Sequence, residues 1–297
     1  MRAKHTRALL RAATAVAGLE ERFADLKGVR LRYFVGGAAT EPLVLLHGLG
    51  GAASNWSALA PLLAGRHRLL VPDLPGHGGS SALPAASTLE PFADRVALLA
   101  EREALLPFSV VGHSLGGLIG LRVARRRSDA VRAVVLAGSA GISSTTRRAR
   151  KALAVSSFVK PGRRLAPYRH RISRSPRLRR LVLYWGVADA AALAPAVAES
   201  FLVGPALHVD TVTAARALVA DDVRLDLDGV RCPCLVLWGA RDSQTGIADA
   251  FDYARRLRAS LRVVADCGHL LIGERPEVCA RAVEDFLSSL TPGSERR

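Results

Sequence analysis

The sequence of 297 residues lacks any apolar run that approaches the ~18 residues of a transmembrane helix, so an integral membrane protein is excluded.

Cysteine is also scarce. Cys232 and Cys234 flank Pro233 too closely, in an extended segment, for an easy disulfide. A lone C-P-C is a weak zinc signal without a second Cys or His pair. With Cys267 and Cys279, these residues are predicted to be buried free thiols of a protein in a reducing compartment, without a metal site.

Acidic residues are absent between Asp129 and Asp189. The same stretch contains fourteen basic residues, which leaves 28 basic and 26 acidic residues in the rest of the chain. The formal net charge of +16 therefore belongs to one segment. A basic segment suggests nucleic acid or an anionic membrane as partner. Because its aromatic residues are few and no nucleic-acid-binding module is recognisable, we expect no nucleic-acid partner.

Apolar residues make up 49% of the chain and charged residues 23%, which is enough for a large buried core. Short apolar runs alternate with longer helical patterns. The predicted strands are 29–35, 43–46, 67–71, 108–111, 131–137, 235–237 and 261–264. The predicted helices are 57–63, 89–105, 115–127, 248–258 and 277–290. This alternation predicts an α/β fold with a mostly parallel sheet and helices on both faces.

The segment 141–226 interrupts the alternation and is predicted to form an inserted, basic helical cap over the strand ends. The flanking ranges 28–140 and 227–290 would then form one catalytic domain, and 291–297 a frayed tail.

The N-terminal segment 1–27 carries a different pattern. Leu9, Val16 and Phe23 recur every seven residues, which predicts an amphipathic helix over about 6–26. Such a helix packs on its parent domain or contacts a membrane surface. A weak secretion signal is the alternative, but Arg11 interrupts the apolar stretch, so we favour a cytoplasmic location.

The strongest motif is Gly112-His113-Ser114-Leu115-Gly116, a G-x-S-x-G pattern between a predicted strand and a predicted helix. A sharp strand-to-helix turn exposes the serine hydroxyl, and the flanking glycines permit close backbone approach. Ser114 is therefore the candidate nucleophile.

A serine hydroxyl needs a base, and the base needs an orienting acid. His269 follows a late strand and suits the base, in the order serine, acid, histidine. Asp242 follows the strand 235–238 and is the first candidate for the acid. Asp266 ranks second because it is close to His269 in sequence, and Asp249 and Asp252 are weaker because they lie in a predicted helix.

Acyl transfer also needs two backbone N–H groups directed at the oxyanion. Leu115 supplies one as the residue after the nucleophile. Leu49, in the loop after His47 and Gly48, is the first candidate for the other, with Gly50 second. His47 itself is interpreted as a residue that braces the loop.

The same loop, 48–53, fits G-x-G-x-x-A, and Asp73 follows at the end of a later strand, which is the outline of a dinucleotide-binding motif. We disfavour that interpretation because it leaves Ser114, Asp242 and His269 unexplained.

Five motifs occur in order: LLHGLGG at 45–51, DLPGHGGS at 73–80, VGHSLGG at 111–117, LWGARD at 237–242 and CGH at 267–269. Together they resemble the α/β-hydrolase superfamily, and most closely its bacterial serine esterases and lipases with a helical cap. The resemblance covers the chain from about Val29 to Leu290. It implies an eight-stranded, mostly parallel sheet and a cap between the sixth and seventh strands.

Residue by residue, the resemblance implies Ser114, His269 and Asp242 as catalytic triad and the N–H groups of Leu49 and Leu115 as oxyanion hole. It places Asp73 and His77 in a structural loop. Haloalkane dehalogenases and epoxide hydrolases differ because they have an aspartate as nucleophile. Lipases with an HGGG motif differ because Leu49 interrupts the glycines here.

The predicted function is therefore hydrolysis of small-molecule carboxylic esters through an acyl-enzyme, without a cofactor. Phe158, Tyr184 and Trp185 are candidates for the substrate pocket, although apolar residues of the insertion equally suit the cap's own core. Another bond acted on by the same triad (thioester, amide, C–C, or perhydrolysis) is the alternative, followed by a binding protein without turnover. The arginines of the cap could face an anionic membrane, an acidic substrate or plain solvent. Together with the basic N-terminus they suggest, as a hypothesis, peripheral contact with an anionic membrane and lipid-derived esters as substrates.

Overall fold

The computed structural model describes residues 10, 13–84, 86–143 and 161–290. Eight strands form one sheet. They are β1 (Glu20–Leu26), β2 (Val29–Gly36), β3 (Pro42–Leu46), β4 (Arg68–Pro72), β5 (Phe108–His113), β6 (Val131–Ala137), β7 (Cys234–Gly239) and β8 (Ser260–Val264). The spatial order is β1-β2-β4-β3-β5-β6-β7-β8. Only β1 with β2 and β2 with β4 pair antiparallel, so the predicted mostly parallel, eight-stranded sheet is confirmed.

Helices cover both faces of the sheet. Outside the insertion they are α1 (Ala60–Leu63), α2 (Glu90–Arg102), α3 (Leu115–Arg126), α9 (Ile247–Leu257), α10 (Leu271–Glu274) and α11 (Pro276–Ser289). Alternate residues of β3 contribute to opposite layers of the core: Val44 and Leu46 pack with α2 and α3, and Leu43 and Leu45 pack with α1 and α11. Strands that are buried on both faces explain why the sequence shows continuous apolar runs.

The described part of the chain between β6 and β7 consists of helices joined by loops. It contains α4 (Pro161–Leu165), α5 (Arg169–Arg174), α6 (Pro176–Leu183), α7 (Pro195–Val203) and α8 (Val212–Ala220), with short 3₁₀ turns at 166–168, 204–206, 223–225 and 227–229. Helices α4 to α7 share an apolar cluster of their own, which includes Ile172, Leu183 and Leu202. Helix α8 packs instead on the main core of the domain through Ala214, Ala217 and Leu218. The cluster also takes in Leu270, next to the candidate base, so the insertion packs directly onto the end of the sheet that carries the site.

The N-terminal prediction is wrong at its C-terminal end, because β1 is a strand where a helix over 6–26 was expected. Lys27 and Gly28 have φ values of 49° and 77° and form a two-residue turn that pairs Leu26 with Val29. Such a turn suits the twist of a hairpin. The Lys-Gly pair between the two strand segments is the sequence signal of a hairpin turn, and the seven-residue spacing obscured it.

The segment before β1 packs on the domain. Thr14 N–H donates to the Leu10 carbonyl over 3.1 Å. The Thr14 hydroxyl is 2.6 Å from the buried Arg32 guanidinium, and Val16 belongs to the core on one face of the sheet. Residues 1–9 and the tail 291–297 lie outside the described residues. Within the described ranges, no helix combines the length and hydropathy needed to cross a bilayer.

Candidate active site

Ser114 lies at the turn between β5 and α3 with φ 51° and ψ −116°. A non-glycine residue in such a region costs on the order of 1–3 kcal/mol and persists only when its surroundings impose it. Here Ser114 N–H donates to the Ala137 carbonyl over 3.1 Å. The Ser114 carbonyl accepts from Gly117 N–H and Ala140 N–H over 3.0 and 3.1 Å. The predicted strand–serine–helix context is therefore confirmed, and the hydroxyl is presented at the carboxyl end of a central strand.

The two glycines of the motif lie where a side chain has no room. A Cβ at Gly112 would overlap the Gly116 carbonyl and the Gly117 Cα, and a Cβ at Gly116 would overlap the Leu46 carbonyl at the end of β3. The motif's spacing thus reflects the close approach of α3 to the two strands beneath it.

Gly116→Ala is expected to destabilise the fold by about 3 kcal/mol or more, because the added methyl meets backbone that cannot repack. Gly65→Ala is the matched control, since nothing lies within 4 Å of a Cβ at that position. Urea unfolding followed by circular dichroism measures both. Equal midpoints for the two variants would show that the close approach at Gly116 is unimportant.

His269 and Asp242 are brought together from the ends of β8 and β7. His269 Nδ1 lies 2.8 Å from Asp242 Oδ2, and both residues are buried. The other carboxylate oxygen accepts from Gln244 N–H and Thr245 N–H over 2.8 and 2.9 Å. Thr245 Oγ1 also donates to Oδ2 over 2.8 Å. These bonds fix the carboxylate, which in turn holds the imidazole ring in one orientation.

The electrostatics favour an ionised Asp242. Burial opposes the charge, but the hydrogen bond and charge interaction with His269, together with the bonds from Thr245, outweigh it and lower the pKa of Asp242 below its usual value. A carboxylate that stays ionised next to Nδ1 stabilises a proton there, which leaves Nε2 of the same ring free to accept one.

The alternative acids are located elsewhere. Asp266 is exposed and pairs with Arg241 over 2.6 Å. Asp249 accepts the Ser143 N–H over 3.1 Å at the start of the insertion, and Asp252 pairs with arginines of its own helix. None of the three is hydrogen-bonded to His269 in the described part of the chain.

The candidate oxyanion loop packs against the serine. A Cβ at Gly48 would lie 3.1 Å from the Ser114 Cβ, so the backbone after β3 passes directly beside the nucleophile. Gly51 N–H donates to the Gly48 carbonyl over 3.0 Å and closes a turn with Leu49 inside it. Among the described residues, no protein acceptor takes the N–H of Leu49 or Leu115.

His47 braces this loop, as its interpretation predicted. Its Nδ1 donates to the Gly48 carbonyl over 2.8 Å, and its Nε2 accepts the Leu74 N–H over 3.0 Å. Asp73 is fully buried and accepts the N–H groups of Ala53 and Gly79 over 2.7 and 2.8 Å. A carboxylate engaged in this way cannot bind a ribose, which removes the dinucleotide-binding alternative.

The candidate pocket residues are less informative. Phe158 lies outside the described residues. The Tyr184 side chain is 73% exposed and that of Trp185 41% exposed. The Trp185 carbonyl accepts from the Ser243 hydroxyl over 2.9 Å, so its backbone borders the loop that carries Asp242. Their role as pocket residues stays a prediction.

Sequence reasoning missed Glu274, which fixes the loop of the candidate base. Its Oε2 accepts the Gly268 N–H over 2.7 Å, and its Oε1 accepts the Ala188 N–H over 2.8 Å. Leu270 N–H donates to the Gly186 carbonyl over 2.6 Å. Leu270, directly after the candidate base, is therefore bonded to the insertion, and Gly268, directly before the base, is connected to it through Glu274. No short-range pattern marks this glutamate, because its partners on the insertion are more than 80 residues away.

His113, inside the serine motif, is the second missed residue. Its Nε2 donates to the His269 carbonyl over 2.9 Å, and the two rings lie 4.9 Å apart. Burial lowers the pKa of His113 to about 3, so this ring is neutral at pH 7. It therefore joins the strand that carries the serine to the loop that carries the base.

A mostly parallel sheet with a serine turn after its fifth strand, and with acid and histidine following later strands, defines an α/β-hydrolase architecture. The alpha/beta hydrolase family model matches residues 43–282, and the chain belongs to this family.

Among curated relatives, the chain is 37% identical over 257 residues to a pimeloyl-[acyl-carrier protein] methyl ester esterase of Aromatoleum aromaticum, covering 82% of this chain and 97% of that protein. Among solved structures, it is similar to the enol-lactonase from Burkholderia xenovorans LB400, with a TM-score of 0.73, 25% identity and coverage of 90% and 100% of the two chains. A putative lipase from Acinetobacter baumannii shares the fold, with a TM-score of 0.73, 21% identity and coverage of 97% and 96%. The chain is a hydrolase by this relationship.

Proposed function

We propose that the protein is a serine hydrolase that cleaves carboxylic esters through an acyl-enzyme. The observation that carries the proposal is the strained Ser114 turn at the same end of the sheet as the buried Asp242–His269 pair. Strain of this kind is retained where it serves function, and the pair has the orientation that a general base requires.

In the proposed first half-reaction, His269 Nε2 takes the hydroxyl proton as Ser114 Oγ bonds to the ester carbonyl carbon. The carbonyl electron pair moves to oxygen, and the N–H groups of Leu49 and Leu115 stabilise that oxyanion. When the tetrahedral intermediate collapses, the C–O bond breaks and the proton passes from His269 to the leaving alcohol. Water then gives a proton to His269, attacks the acyl group and releases the acid as Ser114 is reprotonated.

Esters are the favoured substrate class because the esterase and the enol-lactonase described above both act, by their names, on ester bonds. A panel of p-nitrophenyl acyl esters of increasing chain length, with a matched thioester and a matched anilide, tests the bond type. We expect turnover of the esters to exceed that of the anilide by at least 100-fold, and one chain length to be preferred. Faster turnover of the thioester, or none of the esters, would contradict the proposal.

The arginine-rich insertion supports a more specific proposal, that the enzyme meets lipid-derived esters at an anionic membrane. Arg177, Arg180 and Leu181 of α6 and Tyr184 directly after it follow a helical spacing. All four residues are exposed, Leu181 to 70% and Tyr184 to 73%. None of the described carboxylates pairs with either arginine. A face that combines unpaired arginines with an aromatic and an aliphatic side chain suits the interface of an anionic bilayer. The buried Arg179 does not belong to this face, because it donates to backbone carbonyls of the insertion.

Co-sedimentation with vesicles of anionic and of neutral lipid tests this contact. R177Q/R180Q is expected to weaken binding to anionic vesicles about 30-fold at low salt, from about 1 kcal/mol per arginine near the surface. R255Q/R262Q removes the same charge from two exposed positions outside the insertion, on α9 and β8, and is expected to bind nearly as wild type. Absence of wild-type binding to anionic vesicles, or equal weakening by both double variants, would contradict the contact.

A further inference from the structure

His208, on the insertion between α7 and α8, connects two loops of the catalytic domain. Its Nδ1 accepts the Gly78 N–H over 2.9 Å, and its Nε2 donates to the Gly50 carbonyl over 2.9 Å. A backbone N–H can only donate and a carbonyl can only accept, so the two partners require the neutral ring with its proton on Nε2. Both nitrogens of one imidazole are thereby committed to fixed backbone groups.

The surroundings of His208 keep the ring uncharged. Its neighbours include the His77 ring at 5.2 Å, His47 and the buried carboxylate of Asp73. Burial lowers the pKa of His208 to about 4, although the bond to the Gly50 carbonyl and the charge of Asp73 act in the opposite direction. At pH 7 the ring is therefore neutral, as its hydrogen bonds require.

The backbone next to His208 is held independently of the side chain. Val209 N–H and Asp210 N–H both donate to the Gly76 carbonyl, over 3.1 and 3.0 Å. Gly76 has φ 80°, and a Cβ there would overlap the Asp210 carbonyl, which shows how closely the two segments meet. Replacement of the His208 side chain should consequently leave the insertion attached.

The other end of the connection is the candidate oxyanion loop. The turn closed by Gly51 N–H and the Gly48 carbonyl has Gly50 at its third position with φ 71°, as a type II turn requires. Leu49, the candidate oxyanion donor, is the second residue of this turn. No described atom lies within 4 Å of a Cβ at Gly50, and the Gly50 carbonyl accepts the bond from His208.

We propose that His208 is a positioning residue, which acts from the insertion through the Gly50 carbonyl to hold the turn that presents the Leu49 N–H to the oxyanion. This inference rests on the proposed acyl-transfer function and adds a residue that the serine, histidine and aspartate motifs do not contain. The oxyanion exists only after the nucleophile attacks, so His208 serves the transition state more than the bound substrate. Its loss should therefore lower kcat and leave KM nearly unchanged.

Two substitutions separate the two hydrogen bonds. In His208→Gln the amide nitrogen occupies the region of Nε2 and can still donate to the Gly50 carbonyl. In His208→Asn the amide oxygen occupies the region of Nδ1 and can still accept from Gly78, but the shorter side chain does not reach Gly50. Each variant therefore keeps one bond and loses the other: His208→Gln keeps the bond to the Gly50 carbonyl, and His208→Asn keeps the bond from Gly78. A general disturbance of the insertion would affect both variants alike.

The experiment measures kcat and KM for a p-nitrophenyl ester together with the rate constant of fluorophosphonate labelling. We expect kcat of His208→Asn to fall about 10-fold with KM within about 2-fold, a smaller loss than the 10²–10³-fold of deleting an oxyanion donor outright. Labelling should slow in parallel, because the phosphonyl oxygen occupies the same hole. His208→Gln should retain at least a third of the wild-type kcat, and circular dichroism and urea midpoints report whether both variants fold.

Equal losses in the two variants, no loss in either, or a change confined to KM would each overturn the role of His208. These outcomes differ from failure of the proposed function, which would appear in the wild-type protein as absence of both ester turnover and labelling.

Discussion

Replacing Ser114 by alanine is expected to lower kcat/KM for a p-nitrophenyl ester by about 10⁴- to 10⁶-fold, the range seen when a serine hydrolase loses its nucleophile. The reason is chemical: alanine has no hydroxyl to form the acyl-enzyme, and the remaining backbone donors only stabilise attack by water. Steady-state hydrolysis at pH 7.5 measures the effect, and circular dichroism verifies that the fold is retained.

Ser114→Gly is a second variant, which also lacks the hydroxyl but should be more stable than Ser114→Ala. Glycine adopts φ 51° without the steric cost that serine or alanine incurs, so this variant should unfold at a higher urea concentration than Ser114→Ala. The expected difference is about 1 kcal/mol. Retained activity in either variant would exclude Ser114 as nucleophile, and equal stability would argue against strain at the turn.

Replacing Asp242 by asparagine is expected to lower kcat about 10⁴-fold while leaving the backbone intact. The asparagine carbonyl can keep the bonds from Gln244 N–H and Thr245 N–H. Its NH₂ group would then face Nδ1 of His269 and force the tautomer with the proton on Nε2, which cannot accept the serine proton. The pH–rate profile and kcat of this variant measure the loss.

Asp266→Asn is the matched control, because Asp266 is only three residues from His269 in sequence but is exposed and paired with Arg241. Its kcat should stay within about 2-fold of wild type, as expected for surface ion pairs that contribute little. A larger loss in Asp266→Asn than in Asp242→Asn would transfer the role of orienting acid to Asp266.

The sheet and the helices that flank it were predictable because their signals are local. Strands that are buried on both faces appear as short apolar runs, and the glycines around Ser114 lie where any Cβ would overlap backbone. Both features are visible within windows of five to eight residues. The order of serine, acid and histidine restricted the acid to the chain between Ser114 and His269, and the short sequence distance between Asp266 and His269 then favoured Asp242. The hydrogen bond between Asp242 and His269 agrees with that choice.

Other features depend on contacts between distant parts of the chain. The strand β1 is stabilised by pairing with β2, and its heptad-like apolar spacing gave no sign of that partner. Glu274 and His208 each join the insertion to a loop of the site across more than 80 residues of sequence. Their side chains belong to no motif, so only the folded arrangement reveals them.

The structure also shows which arginines of the insertion are exposed. Arg177 and Arg180 are exposed on one face of α6, whereas Arg179 is buried and donates to the Ala190 carbonyl over 3.0 Å. A count of basic residues cannot distinguish exposed arginines, which can contact a partner, from a buried arginine that donates hydrogen bonds to the backbone. The surface available for an anionic partner is consequently narrower than the net charge of +16 suggests.

Covalent labelling tests the central proposal most directly. The full-length protein is treated with a fluorophosphonate, and its intact mass and tryptic peptides are measured by mass spectrometry. The account predicts one adduct per chain, located on Ser114, which forms at least 100-fold more slowly in Asp242→Asn. No adduct on the folded wild-type protein, or an adduct on a different residue, would contradict the assignment of Ser114 as an activated nucleophile.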